Sequence, residues 1–436
     1  MERREKESIQ FRNEFSSGIE TFKDVSKEQE SLNARLLIKA GFINQELAGV
    51  YTYTRSGYEV LKNIEELTRE HMSKWGREIL MPSLQPVENW ETTGRLESMS
   101  SLFEVRGANE TSRKLNSSRY VLGPTHEEIV TPLVKRYIKS YRDLPLALYQ
   151  IQTKFRNEAR PKSGLLRSRE FRMMDLYSFH ENEEDLLEFY ELMKEEYMSL
   201  FEDLGLAEDT FITLADGGDF TKEFSHEFQT LIPQGEDTIF LDRENKIAYN
   251  KEIVNKENEE RLGVKFDSLE RVSASEVGNI FPLNLKFSNP FNLTYTTKEG
   301  LTKPVYMGCY GLGTSRLMGV IAEKFADQKG LVWPEKIAPA KYHVVTISEK
   351  KEGEVYELSK ELIELVGKDA LWDRRTNVRA GEKLKDADLI GCPYRIVISP
   401  NSIKRGGIEV KSRTSEKEEY ISVEQLISKY GASRKP

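Results

Sequence analysis

Residues 153–180 read TKFRNEARPKSGLLRSREFRMMDLYSFH. Side chains alternate along a strand, so two extended runs joined by a turn are predicted. On the outgoing run Gln152, Lys154, Arg156 and Glu158 share one face, and Ile151, Thr153, Phe155 and Asn157 share the other. Pro161, Lys162, Ser163 and Gly164 are turn formers. The returning run places Arg169, Phe171, Met173 and Asp175 together. Five arginines, at 156, 160, 167, 169 and 172, crowd this hairpin. Such a face can hold a flat, charged ligand: arginine forks a phosphate, an aromatic ring stacks on a base, and glutamate fixes a polar edge. On composition alone, a solvated basic hairpin is the more ordinary account.

Two further clusters lie outward from it. GPTHEE, residues 123–128, pairs a histidine with a glutamate as zinc proteases do, but position 130 is Val and not a second His. Thr125 and Glu128 have capping-box spacing ahead of an apolar helical run, which leaves Glu127 without a structural task. MGCYGLGTSRL, residues 307–317, carries Gly308, Gly311 and Gly313 into a helix start at Arg316. Helix starts favour anions. The spacing fits neither a dinucleotide fingerprint nor a phosphate loop, and close packing of glycines explains it equally well.

The whole chain has 436 residues, 38% hydrophobic and 31% charged, which excludes wholesale disorder. A net charge of −8 argues, taken alone, against a nucleic-acid partner. Cys309 and Cys392 are the only cysteines, so a disulfide framework and a cysteine-based zinc site are excluded. No apolar run approaches the roughly 18 residues that a spanning helix needs, and residues 1–30 lack a leader's apolar centre. The expectation is a cytoplasmic protein with no membrane contact. Helical spacing is expected for residues 60–72, for 127–139 with Tyr137 inward, and for 183–204 through Leu186, Tyr190, Met193, Tyr197, Leu200 and Leu204. After Trp333–Pro339 the pattern becomes that of a small α/β unit, with strands at 342–347, 396–399 and 408–413 and a helix at 355–366.

Jointly, the order and spacing of these segments resemble the prolyl-tRNA synthetases, class II aminoacyl-tRNA synthetases, from about Leu47 onward. AGVYTYTRSGYEVLKNIEE and GREILMPSLQP resemble the first class motif, FRNE through REF the second, and GLGTSR the third. GPTHEE, YSFH, SHEFQ, EVGNIF and MGCYG resemble segments particular to the prolyl enzymes, and residues 371–399 resemble their anticodon-binding domain. The resemblance implies an α+β fold: a class II catalytic domain with an antiparallel β-sheet flanked by helices, and a C-terminal α/β anticodon-binding domain. The implied layout is an arm at 1–46, the catalytic domain at 47–337 and the anticodon-binding domain at 338–436. Residues 251–272 would be all that remains of the editing insertion common in bacterial members.

The implied activity is ATP- and Mg²⁺-dependent activation of L-proline and its transfer to tRNA(Pro). By resemblance, Arg156 and Arg316 are catalytic. Thr125, Glu127, Arg156, His226 and Cys309 would bind proline, and Arg156, Glu158, Arg169, Phe171 and Arg316 would bind ATP. Arg374, Arg375, Arg379, Glu409, Lys411 and Arg413 would meet the tRNA anticodon arm, and Pro82 would lie at a homodimer interface. The ligands of Mg²⁺ are not assigned, and Met174 has no role. Without an editing domain in the same chain, a separate editing protein is implied, because a proline pocket excludes smaller alanine poorly. The alternatives are a synthetase-like binding protein without catalysis and a related enzyme for threonine. The charge divides accordingly: residues 338–436 hold 19 Lys plus Arg against 16 Asp plus Glu, about +3, which leaves about −11 for the rest.

Overall fold

The computed structural model describes residues 21–22, 31–159, 161 and 163–431. The expected arm lies mostly outside them, as do Arg160 and Lys162 of the hairpin turn. Two compact units result. One comprises residues 45–51 and 64–320; the other comprises the described residues up to 44, residues 52–63, and 321 onward. Among the described residues no helix is long and apolar enough to cross a membrane.

The first unit is built on a nine-stranded sheet. Its strands are β1 (Arg77–Glu78), β2 (Leu146–Phe155), β3 (Glu170–His180), β4 (Thr210–Ala215), β5 (Ser225–Leu231), β6 (Asp237–Asp242), β7 (Ile247–Asn250), β8 (Glu270–Asn284) and β9 (Tyr306–Leu312). Their spatial order is β5-β4-β7-β6-β8-β9-β3-β2-β1, and β8 also pairs with β5. All pairings are antiparallel except β4–β7 and β1–β2. β2 and β3 are the predicted hairpin, with Gln150 opposite Asp175, Gln152 opposite Met173 and Lys154 opposite Phe171. Residues directly opposite share a face, so Gln152, Lys154, Phe171, Met173 and Asp175 lie together as expected, whereas Arg156, Glu158 and Arg169 fall beyond the strand ends. The double pairing of β8 closes β5, β4, β7, β6 and β8 into a ring around Phe211, Ile239, Leu241, Ala248 and Ala274. Residues 232–272 build two strands of that ring, the start of β8 and a seven-residue helix, Lys256–Leu262.

Helices cover the sheet. In chain order they are α1 (Arg55–Met72), α2 (Val87–Thr93), α3 (Arg95–Ser98), α4 (Glu127–Val134), α5 (Glu183–Asp203) and α6 (Thr314–Lys324). Asn182 caps α5 by accepting from the Asp185 amide. Its predicted apolar stripe is buried from Leu186 through Leu204, and Tyr197 stacks on Phe228 of β5 with ring centres 4.8 Å apart. α4 ends earlier than expected, so Tyr137 lies past its end and is exposed rather than inward. The opposite side of the sheet packs Val130, Val134, Tyr177, Phe179, Phe287 and Met307 into one core.

The second unit contains the small α/β layer. Strands β10 (Tyr342–Thr346), β11 (Ala370–Asp373), β12 (Tyr394–Ile398), β13 (Ile408–Ser412) and β14 (Glu418–Ile421) lie in the order β11-β10-β12-β13-β14. β10 is parallel to both neighbours, and the remaining pairs are antiparallel. Helices α7 (Glu354–Val366), α8 (Ala380–Ile390) and α9 (Val423–Tyr430) complete it. Val344, Leu362, Ile396, Ile408, Val410 and Leu426 are buried in its core.

Candidate active site

The β2–β3 hairpin, the end of β9 and the start of α6 surround a cavity of about 1000 Å³ that is open to solvent. Thr125, Arg156, Glu158, Phe171, Cys309 and Arg316 line it together, from segments far apart in sequence. Phe171 holds its ring 5.2 Å from the Arg156 guanidinium carbon. Arg156 forms no ion pair among the described residues, and its buried Nε has no hydrogen-bond partner. Burial pushes its pKa down and Glu276 pulls it back; an arginine stays charged under both influences. The result is a cation prepared for an anion that the protein does not itself supply. Arg316, in the first turn of α6, donates to the Glu276 carbonyl at 2.5 Å and lies 3.3 Å from its carboxylate. Glu236 is 3.6 Å from the same nitrogen.

Also on the cavity wall, Thr125 Oγ1 donates to Glu127 Oε2 at 2.5 Å. Glu127 Oε1 is buried without a hydrogen-bond partner. Burial and the adjacent Glu127 push the Cys309 thiol well up, so it stays protonated. Phe220 and Phe281 stack at 4.5 Å on the cavity wall. The capping-box reading of Thr125 and Glu128 fails: His126 occupies the N-cap without a side-chain bond, and Glu128 pairs with Arg95. Burial pushes the Glu128 carboxyl up to about 7 against the pull of Arg95.

Two residues expected at the cavity, His226 and Arg169, point away from it. His226 points to the helix side of β5, where Nδ1 meets Tyr190 Oη at 2.9 Å and Nε2 meets Lys194 at 3.4 Å. The next residue, Glu227, faces the other way towards Asn279, which lines the cavity. Arg169 donates to the carbonyls of Glu158 and Ala48, away from the cavity. Gly49 makes that approach possible: its φ is 78°, and a Cβ there would lie 2.6 Å from Pro161. The exposed Arg167 lines the cavity and pairs with Glu158 at 2.8 Å.

In the second unit, Arg375 is bound to Asp373 and Asp386 at 2.7 Å each, and Arg413 to Asp327 at 2.7 Å. Both cations are held by carboxylates of their own unit. Arg374 covers the Trp372 ring, Arg379 is exposed before α8, Glu409 accepts from Tyr420, and Lys411 pairs with the exposed Glu416. Pro82 is exposed, and its carbonyl lies 3.2 Å from His126 Nε2.

Sequence reasoning assigned no task to Lys154 and Asp175, whose side chains form a buried ion pair at 2.7 Å beneath the cavity. Lys154 also donates to His126 Nδ1 at 2.5 Å, and Gln150 donates to Asp175 at 3.1 Å. The alternation that placed Arg156 on the ligand face places Lys154 there too, so the signal was present. Glu276 and Asn279 line the cavity from within the EVGNIF segment.

The fold and the site define a class II aminoacyl-tRNA synthetase. Residues 109–325 match the family model described as the tRNA synthetase class II core domain (G, H, P, S and T), and residues 341–431 match the anticodon-binding domain. The chain is 37% identical to the proline--tRNA ligase of Anaplasma phagocytophilum over 94% of its own length and 97% of that protein's. For the ligase of Ehrlichia chaffeensis the identity is 35%, over 94% and 98%. The chain belongs to the proline--tRNA ligase family. The fold is also that of a prolyl-tRNA synthetase from Cryptosporidium parvum solved with L-proline and AMP, with a TM-score of 0.71 at 21% identity over 94% of this chain and 78% of that one.

Proposed function

We infer that the protein joins L-proline to ATP, forming prolyl-adenylate and pyrophosphate, and then passes the prolyl group to the 3′ end of tRNA(Pro). The observation that carries this reading is one cavity lined both by Arg156, which has no ion pair among the described residues, and by Thr125, which is bonded to the buried Glu127. In the first step a carboxylate oxygen of proline attacks the α-phosphorus, and the bond to the pyrophosphate oxygen breaks. The carboxylate is already ionised, so alignment and charge neutralisation suffice without a base. Arg156 faces the α-phosphate and the attacking carboxylate, Phe171 stacks on adenine, and Arg316 covers the ring's other face and reaches the γ-phosphate. Glu158 marks the adenine end and Glu127 meets the secondary ammonium of proline.

Mg²⁺ fits the donor set. Glu276 offers a carboxylate and Asn279 a buried carbonyl oxygen without a partner. A hard ion needs only one or two such ligands beside phosphates and water. When bound, it would neutralise charge on the phosphates. Arg374, Arg379, Glu409 and Lys411 remain the candidate contacts to the anticodon arm. A homodimer, a cytoplasmic location and a separate protein that hydrolyses alanyl-tRNA complete the reading. Residues 232–272 hold only two strands of the ring, the start of β8, a seven-residue helix and short turns, which supports the absence of an editing domain within this stretch.

Pyrophosphate exchange into ATP tests the reading. Exchange should depend on proline and exceed that with alanine or threonine. Arg156→Ala should lower it by roughly two to three orders of magnitude, the scale of losing one preorganised charge-stabilising group. Stronger exchange with threonine, or undiminished exchange in the variant, would refute it.

A further inference from the structure

Arg95 opens α3 with only 2% of its surface exposed. Its Nη1 lies 3.0 and 3.2 Å from the two Glu128 oxygens and 3.4 Å from Glu127 Oε2. Trp90, Phe220 and Phe287 enclose the guanidinium at 5.3, 4.7 and 5.2 Å. Phe220 also lines the cavity, so Arg95 stands directly behind the pocket wall. Both glutamates are fully buried. The neighbouring buried cation Lys154 is matched by Asp175, Lys286 is exposed, and Arg156, which also feels Glu127, is the cation assigned above to the phosphate and the attacking carboxylate. Fully ionised, the cluster of two carboxylates and one guanidinium therefore carries −1. Arg95 shares Glu127 Oε2 with Thr125, while Glu127 Oε1 is left without a partner.

We propose that Arg95 is a positioning residue that sets the charge of the amino-acid end of the pocket to −1, balancing Glu128 so that Glu127 is left for one substrate cation. The proposal rests on the reading that this cavity takes proline, whose secondary ammonium carries one positive charge. A buried site at −2 holds a proton that competes with the substrate. A site at zero gives the ammonium nothing to offset its lost hydration. One guanidinium against two carboxylates avoids both. Its ring cage keeps that cation dry and fixed, and the same packing supports the Phe220 wall.

The test is pyrophosphate exchange at pH 8, above the value of about 7 to which burial pushes Glu128. Wild-type protein is measured first. Absence of proline-dependent exchange removes the proline reading and this proposal with it; its presence leaves the proposal to the variants. Glu128→Gln brings the cluster to zero and should raise the KM for proline about tenfold or more, with the KM for ATP within about twofold. Arg95→Met brings it to −2 and should also raise the KM for proline. The double variant returns the charge to −1 and should recover to within about threefold of wild type. A structural role for the pair predicts no such recovery. An unchanged KM for proline in Glu128→Gln, or a double variant no better than the worse single one, would overturn the proposal. Should Arg95→Met fail to fold, as judged by near-UV circular dichroism, Glu128→Gln decides alone.

Discussion

Lys154 shows what a buried charge needs in order to remain in a core. It has no exposed surface, yet its ammonium meets Asp175 and His126 at 2.7 and 2.5 Å. Burial lowers its pKa, and Asp175 opposes the shift. His126 is pushed down to about 3 by burial and by Lys154, so its ring is neutral at physiological pH. Nδ1 then accepts from Lys154, and Nε2 donates to the Pro82 carbonyl. Asp175 lines the cavity while being fixed from below, so this set holds part of the cavity floor in one geometry. Lys154→Met should cost about 3–5 kcal/mol, because it leaves a buried carboxylate without its cation. Urea unfolding measures that loss, and adding Asp175→Asn should recover part of it. A loss below about 1 kcal/mol would show that the pair is compensated elsewhere.

At the scale of elements, burial on one face decides what can be foreseen. α5 carries its stripe at helical spacing, and those residues are the ones the structure buries. Leu200→Ala, at a fully buried position, should destabilise by about 2–5 kcal/mol, read as a lowered urea midpoint at unchanged slope. The β2–β3 hairpin was equally legible, because alternation and turn residues agreed. The five-strand ring was not: β6 and β7 are six and four residues long, and β8 carries one unpaired residue, Val277, where its register against β5 shifts between Phe228 and Gln229. Such a bulge has no signature in a single sequence. His226 illustrates the cost. Resemblance transferred a residue, but strand parity sets its face, and one position separates the helix side from the cavity side. Arg95 was illegible for another reason. Its neighbours come from α2, α4 and distant loops, so no local spacing announces it.

Across the whole molecule, histidine burial sets a response to acid. His126 and His226 are pushed down to about 3 by burial with help from nearby lysines, and buried His343 falls to about 4. An unfolded histidine titrates near 6.5. Between those values the unfolded chain binds more protons at these three sites, so each histidine contributes stability that is lost as pH falls from about 6.5 towards its folded value, while Glu128 and Glu227, whose carboxyls burial pushes up, act in the opposite sense. Both ring nitrogens of His343 are buried without partners, so His343→Leu removes a proton site with little polar loss. Unfolding free energies between pH 4.5 and 7.5 should show a shallower slope for this variant than for wild type. An identical slope would mean that other groups govern the acid response.

The homodimer proposed above would use the edge of the nine-stranded sheet. β1 has only two residues and lies at the sheet margin, continued by one further bond from the Ile79 amide to the Tyr149 carbonyl at 2.8 Å. Beyond it Leu80 and Leu84 are 77% and 47% exposed, with the exposed Pro82 between them. The short strand and Pro82 discourage edge-to-edge pairing, so it is the exposed side chains of Leu80 and Leu84 that offer an apolar surface for a partner. Through Met81 and Pro82 this segment also touches the groups under the cavity: the Met81 amide donates to Gln150, and the Pro82 carbonyl accepts from His126. A second copy of the chain is the expected cover. Light scattering should therefore give twice the 50.4 kDa chain mass. Leu80→Asp with Leu84→Asp should shift the species to the monomer while the buried residues of β2 and β3 keep the fold. Because the segment is bonded to Gln150 and His126, the monomer should also show a higher KM for proline. A wild-type monomer, or a double variant that still dimerises, would place the interface elsewhere.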